Sequence, residues 1–129
     1  MNTNYKDKKI SFKRLKKSFT YAFKGVGHAF KYEQNFIVHS VMAFLAVLLG
    51  FLLKINNYEW LALILIIGLV LAFELINTAL ESLVDLVTDK YHELAALTKD
   101  TASSAVLVLA LSSIIIGLII FLPKIIDLF

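Results

Sequence analysis

Three apolar runs dominate the chain: Phe36–Leu53, Trp60–Leu80 and Ala105–Leu122. Each is close to the ~20 residues that a helix rising 1.5 Å per residue needs to cross a hydrocarbon core. Lipid offers no partner for an open backbone N–H or C=O, so a short apolar run that crosses a bilayer does so as a helix. The expected fold is therefore an all-α membrane protein with three transmembrane helices. Composition agrees: 59% of the 129 residues are hydrophobic, 18% are charged, and mean hydropathy is +0.77. That is too apolar for a soluble domain of ordinary make-up. The chain has no cysteine, which excludes disulfides, thiolate metal sites and a cysteine nucleophile.

Charge sets the expected topology. Nine of the thirteen Lys and Arg lie in the first 31 residues, whereas most acids lie between Glu74 and Asp100. Residues 1–9 (MNTNYKDKK) read as a polar, flexible tail. No secretory signal is expected, because the first long apolar run begins only at Phe36. Over residues 10–33, Phe12, Leu15, Phe19, Ala22, Phe23, Val26 and Phe30 recur near the helical period, with Lys13, Arg14, Lys16, Lys17, Lys24 and Lys31 between them. Such a basic amphipathic helix lies in the membrane interface. The positive-inside tendency keeps this end in the cytoplasm. KINNYE (54–59) then falls outside, the acidic connection 81–102 inside, and the PKIIDLF tail outside. Tyr58, Trp60 and Phe129 read as interface residues. No internal repeat is evident, and residues 1–129 read as one domain.

The unusual chemistry is in FELINTALESLVDLVTD (73–89), where acids enter a run that still looks like a membrane span. A carboxylate in hydrocarbon costs at least a few kcal/mol and usually marks a site. At about 100° per residue, Glu74, Asn77, Thr78, Glu81 and Asp85 fall within roughly a 100° arc of one helical face. Carboxylates stacked on successive turns repel unless a cation or a shared proton compensates. Oxygen-only donors suit Mg²⁺, which takes one or two carboxylates and completes its shell from water and phosphate. Zinc is poorly supported, because His28, His39 and His92 are scattered. Lys99 and Asp100 lie beside Thr101, Ser103 and Ser104 at the entry to the third apolar run, and a lysine near such a centre suits phosphate. These are the parts for phosphoryl transfer to a lipid alcohol, in which catalysis is mostly positioning and charge neutralisation. Gly25, Gly27, Gly50, Gly68 and Gly117 form neither a Walker loop nor a protein-kinase glycine loop, and H-R-D and D-F-G are missing. Any kinase here is of another kind.

Three blocks carry a resemblance: FELINTALESLVD, YHELAALTKDTASSAV (91–106) and YAFKGVGHAFKYEQN (21–35). Together they make the chain similar to the small integral-membrane diacylglycerol and undecaprenol kinases of prokaryotes, over nearly its whole length. The resemblance implies a homotrimer in the bacterial cell membrane, each subunit having a surface helix and three spans. It implies that MgATP phosphorylates a membrane lipid alcohol on the cytoplasmic side. Carried over by position, Glu74 is the general base with Asn77 beside it, and Glu33 and Glu81 hold Mg²⁺. Arg14, Tyr21, Lys90, Tyr91, His92, Lys99 and Asp100 contact ATP, and Ser103 lies near the lipid. After Glu33 the chain reads QNFIVH, as in the Gram-positive branch. The diacylglycerol kinase branch has an arginine in place of Ile37 and an acid in place of His39. The resemblance therefore ranks undecaprenol above diacylglycerol as acceptor.

Plainer readings stand beside these. Glu74 and Glu81 could form a polar seam between helices, Glu33 could pair with Lys31, and Lys99 could reach to headgroups. Asp85 and Asp89 could be a solvated helix end. His39 and His92 are more often stacking or hydrogen-bonding residues than ligands. A small cation channel or transport subunit is the contrasting class. It would spread its acids through the bilayer's depth, whereas here they gather at one edge and the third run has none.

Overall fold

A computed structural model of the chain describes residues 10–129, and within them every regular element is an α-helix: α1 (Phe12–Tyr32), α2 (Gln34–Leu52), α3 (Asn57–Val87) and α4 (Glu93–Ile126). The expected tail at residues 1–9 lies outside the described residues. Helices α2, α3 and α4 are each long and apolar enough to cross a membrane, and the protein is a membrane protein. Large apolar side chains on the outside of the bundle, among them Leu61, Ile64, Val108 and Ile119, are more than half exposed. In water such faces would aggregate; in a bilayer they need no cover.

Helix α1 carries its phenylalanines on one side and its lysines on the other, and passes into α2 through one extended residue, Glu33 (φ −103°, ψ 103°). That residue closes α1, its N–H donating to the Ala29 carbonyl at 2.9 Å, and also stands at the N-cap of α2. Phe30 meets Phe36 edge to face at 4.9 Å, and Ala29 and Phe36 are buried, which fixes the corner.

The link from α2 to α3 is short and fully specified. Asn56 Oδ1 accepts from the N–H groups of Tyr58 and Glu59 at 2.9 and 3.0 Å, and Glu59 Oε2 accepts from the Asn56 N–H at 2.7 Å. This reciprocal cap satisfies donors that the first turn of a helix leaves open. Glu59 also pairs with Lys124 of α4 at 3.2 Å, tying the start of α3 to the end of α4. Beside it, Ile55, Leu63, Ile120 and Phe121 form the buried core, with Leu49 and Trp60 packed against it.

Helices α3 and α4, of 31 and 34 residues, are roughly 45 and 50 Å long, well beyond a ~30 Å hydrocarbon core. Their surplus turns follow the apolar run in α3 and precede it in α4, so both extensions project at the same end, opposite the Ile55 core. The connection 81–102 is thus mostly helix, interrupted only at residues 88–92. Both hydroxyls of the third apolar run are satisfied inside their own helix: Ser112 donates to the Val108 carbonyl (2.9 Å), and Ser113 to that of Ala110 (2.7 Å).

A Cβ on Gly50 would come within 2.9 Å of the Trp60 ring and 3.0 Å of Ile55. Gly50→Val is therefore expected to cost about 1–3 kcal/mol through overpacking, read as a lower melting midpoint in detergent micelles; an unchanged midpoint would show that the corner is loose.

Candidate active site

Two polar side chains are buried among the described residues, Glu74 (3% exposed) and Asn77 (8%), and both lie on α3. Their positions follow from the antiparallel pairing of α2 with α3. His39 of α2 places Nε2 3.1 Å from Glu74 Oε1, which levels the two residues in depth. From that contact, moving six residues back along α2 to Glu33, or seven forward along α3 to Glu81, climbs roughly 9–10 Å in the same direction. Register alone therefore brings Glu33 and Glu81 to one level, about two turns above Glu74. Both are half-buried, and both lie near enough to act on Glu74 electrostatically.

Each carboxylate is kept free in a different way. Glu33 stands at an N-cap, where an acid usually accepts from the first backbone N–H groups, yet its side chain makes no such bond. Asn77 Nδ2 donates to Glu81 Oε1 at 3.0 Å, orienting that carboxylate while leaving Asn77 Oδ1 buried without a partner. Glu74 Oε1 is likewise sealed and lacks a well-aligned hydrogen bond, because the His39 contact is close but poorly directed. Thr78 does not compensate for it, since its hydroxyl turns to the Glu74 backbone carbonyl (3.1 Å).

No group of three or more acids and histidines converges on one point among the described residues. Two carboxylates at one level with an unpartnered amide oxygen beside them are nonetheless a fitting donor set for Mg²⁺, which binds few protein oxygens and keeps places for water and phosphate.

The expected nucleotide residues divide. Lys90, Tyr91, His92 and Lys99 line one cleft of about 400 Å³ between the extended ends of α3 and α4, together with Asp85 and Asp89. His92 caps α4, its Nδ1 accepting from the Leu94 N–H at 3.1 Å, and Thr88 Oγ1 accepts from the Lys90 N–H at 3.2 Å. Lys99 Nζ is 2.5 Å from Asp85 Oδ1, so its ion pair bridges the two helices and does not involve its neighbour Asp100. Asp100 and Ser103 are exposed on α4 and do not line the cleft. Arg14 and Tyr21, seven residues apart on one face of α1, are also exposed and lie off the cleft.

Two participants escaped the sequence reading as site residues. Asp85 was visible on the acidic face, but its pairing with Lys99 appears only when α4 folds back along α3. His39 was visible as a polar interruption of an apolar run, but its contact with Glu74 depends on the α2–α3 register.

A buried acid, a free corner carboxylate and a lysine-bearing cleft together suit phosphoryl transfer at a membrane surface. Known proteins agree. The pattern of the prokaryotic diacylglycerol kinase family matches residues 20–121, and the chain belongs to that family. The undecaprenol kinase of Bacillus subtilis is 44% identical over 119 residues, covering 92% of this chain and 97% of its own. The diacylglycerol kinase of Synechocystis is 41% identical over 112 residues (86% of this chain, 64% of the relative), and that of Escherichia coli K12 is 34% identical over 104 residues (81% and 85%). The chain is a membrane-embedded, ATP-using lipid kinase.

A carboxylate kept only as a structural anchor would be missed by the fold; one buried without an aligned partner would not. Glu74→Gln removes the charge at nearly constant volume, and is expected to leave the melting midpoint in micelles unchanged or raised, by about 0–2 kcal/mol. A marked fall would identify Glu74 as part of a structural seam.

Proposed function

We propose that the protein phosphorylates undecaprenol, a long polyprenol with one terminal hydroxyl, to undecaprenyl phosphate at the cytoplasmic membrane surface. The similarity to the Bacillus subtilis enzyme along nearly the whole of both chains carries this choice of acceptor. The diacylglycerol kinases among the relatives supply the second reading, with diacylglycerol as acceptor and phosphatidic acid as product.

In the proposed reaction the lipid hydroxyl approaches Glu74 at the hydrocarbon edge. The Glu74 carboxylate takes the hydroxyl proton as the lipid oxygen forms its bond to the γ-phosphorus of ATP. The bond from that phosphorus to the β–γ bridging oxygen breaks, and ADP leaves with the electron pair. Asn77 holds Glu81 in place through its amide. Glu33 and Glu81 would hold Mg²⁺, which when bound offsets triphosphate charge. Lys99, already held by Asp85, would meet phosphate as a point charge, with Lys90, Tyr91 and His92 around the same cleft and Asp100 beside it. Ser103 would lie toward the lipid.

A homotrimer suits such a chain, because subunit contacts would cover the exposed apolar faces and bring the α1 residues Arg14 and Tyr21 to a neighbour's cleft. The lysine-rich α1 supports a cytoplasmic site, in keeping with the positive-inside tendency.

Purified protein in mixed micelles with MgATP is expected to transfer phosphate to undecaprenol with kcat/KM about tenfold or more above that for diacylglycerol, a difference of about 1.4 kcal/mol. The reverse order would select the second reading, and labelling of neither lipid by folded protein would defeat both. In the same assay Glu74→Gln is expected to lower kcat by about 10²–10⁴, while retained turnover would remove its role as base.

Lys99→Met should raise KM for ATP about tenfold or more, as expected for loss of a charge-assisted contact; an unchanged KM would place the triphosphate elsewhere.

A further inference from the structure

The reaction just described uses Glu74 but leaves unexplained what aims it. A glutamate side chain has several rotatable bonds, and a general base works only when its oxygen is within hydrogen-bond reach of the proton it takes. Within its own helix Glu74 has no side-chain partner: Thr78 bonds to the backbone, and Asn77 turns toward Glu81. The neighbouring carboxylates, Glu33 and Glu81, can only repel it. The group that reaches it is His39, whose Nε2 stands 3.1 Å from Oε1.

We propose that His39 is the positioning residue for Glu74: its Nε2–H donates to Glu74 Oε1, fixes the carboxylate's orientation and leaves the other oxygen to take the proton of the acceptor hydroxyl. The neutral imidazole serves if its proton is on Nε2, and the imidazolium also serves. The contact is poorly aligned in this structure, as catalytic hydrogen bonds often are before substrate binds. A purely structural role for the contact fits less well. A buried polar pair that only holds helices together satisfies both members, whereas here Glu74 Oε1 is sealed without an aligned donor, and the His39 side chain is 27% exposed. Part of that ring forms the polar end of an otherwise largely apolar groove between α2, α3 and α4, so the histidine touches both the carboxylate and the side from which an apolar acceptor would come.

The proposal rests on Glu74 being the base, and two replacements of similar length test it. Glutamine keeps an N–H donor near the position of Nε2; methionine does not. With undecaprenol and MgATP in mixed micelles, His39→Met is expected to lower kcat about 10²-fold, with KM for ATP within about twofold and the melting midpoint held. His39→Gln should recover kcat to within about fivefold of the parent. His39→Met combined with Glu74→Gln should be no slower than Glu74→Gln alone, because residues acting as a unit are not additive. Both His39 variants retaining parental kcat, or both losing it equally, would overturn the positioning role. So would a loss expressed in KM for ATP. If Glu74→Gln itself retains turnover, the choice of base has failed; if it is inactive while His39→Met is fully active, only the positioning role has failed.

Discussion

Hydrocarbon cannot solvate a carboxylate, and the structure depends on how one apolar helix carries Glu74 to the membrane's edge in spite of that. An intramembrane charge costs several kcal/mol, and α3 turns Glu74 away from lipid toward α2, where His39 arrives at the same depth. The short, capped link at Asn56–Glu59 sets the antiparallel register, and the contact reports it. Once it is set, Glu33 and Glu81 share a level, although 48 positions separate them in sequence. The sharp corner at Glu33 matters for the same reason, because a continuous α1–α2 helix would carry this carboxylate on a straight axis with no turn to aim it inward.

Depth then sorts the polar groups by the chemistry each can support. Glu74, deepest and nearly sealed, is where a hydroxyl attached to an apolar chain can reach but bulk water cannot easily compete. Glu33 and Glu81, about two turns higher, are half-buried and suited to a hydrated cation. Farther out, α3 and α4 continue as a helical hairpin past the hydrocarbon, and the Lys99–Asp85 pair bridges it beside the cleft. One pair of long helices thus spans from lipid to water, which in the proposed reaction would let a chain of this size place an apolar acceptor and a polyanionic donor along one line.

Much of this was legible in the sequence because the constraints are local. The apolar runs fix three helices by length, the lysine and phenylalanine spacing fixes α1, and the i, i+3, i+4 and i+7 spacing fixes the acidic face of α3. The Asn56–Glu59 cap also lies within four residues. What stayed hidden depends on pairing between elements. Nothing in QNFIVH says that His39 faces Glu74 and not lipid, since a turn of α2 by one residue would move it about 100° away. Lys99 sits beside Asp100 in sequence, but on a helix adjacent residues do not face one another, and so its partner comes from α3. Arg14 and Tyr21 share a face of α1 that a single chain does not bring to the cleft.

That last separation follows from geometry. α1 leaves the bundle at the Glu33 corner, held by Phe30 against Phe36, while the cleft lies between the far extensions of α3 and α4. Helix α3 packs between α2 and α4, and its extension beyond the apolar run carries the acids from one side only. The proposed ring of identical chains would resolve both features at once. It would cover the faces of the spans that a lone subunit leaves bare, and would set one chain's basic helix beside the next chain's cleft, where arginine and lysine would meet the negative charge of a triphosphate. On this view the scarcity of internal contacts in the single chain is a condition of the site, because helices packed fully against one another within one subunit would leave no face for a neighbour to complete.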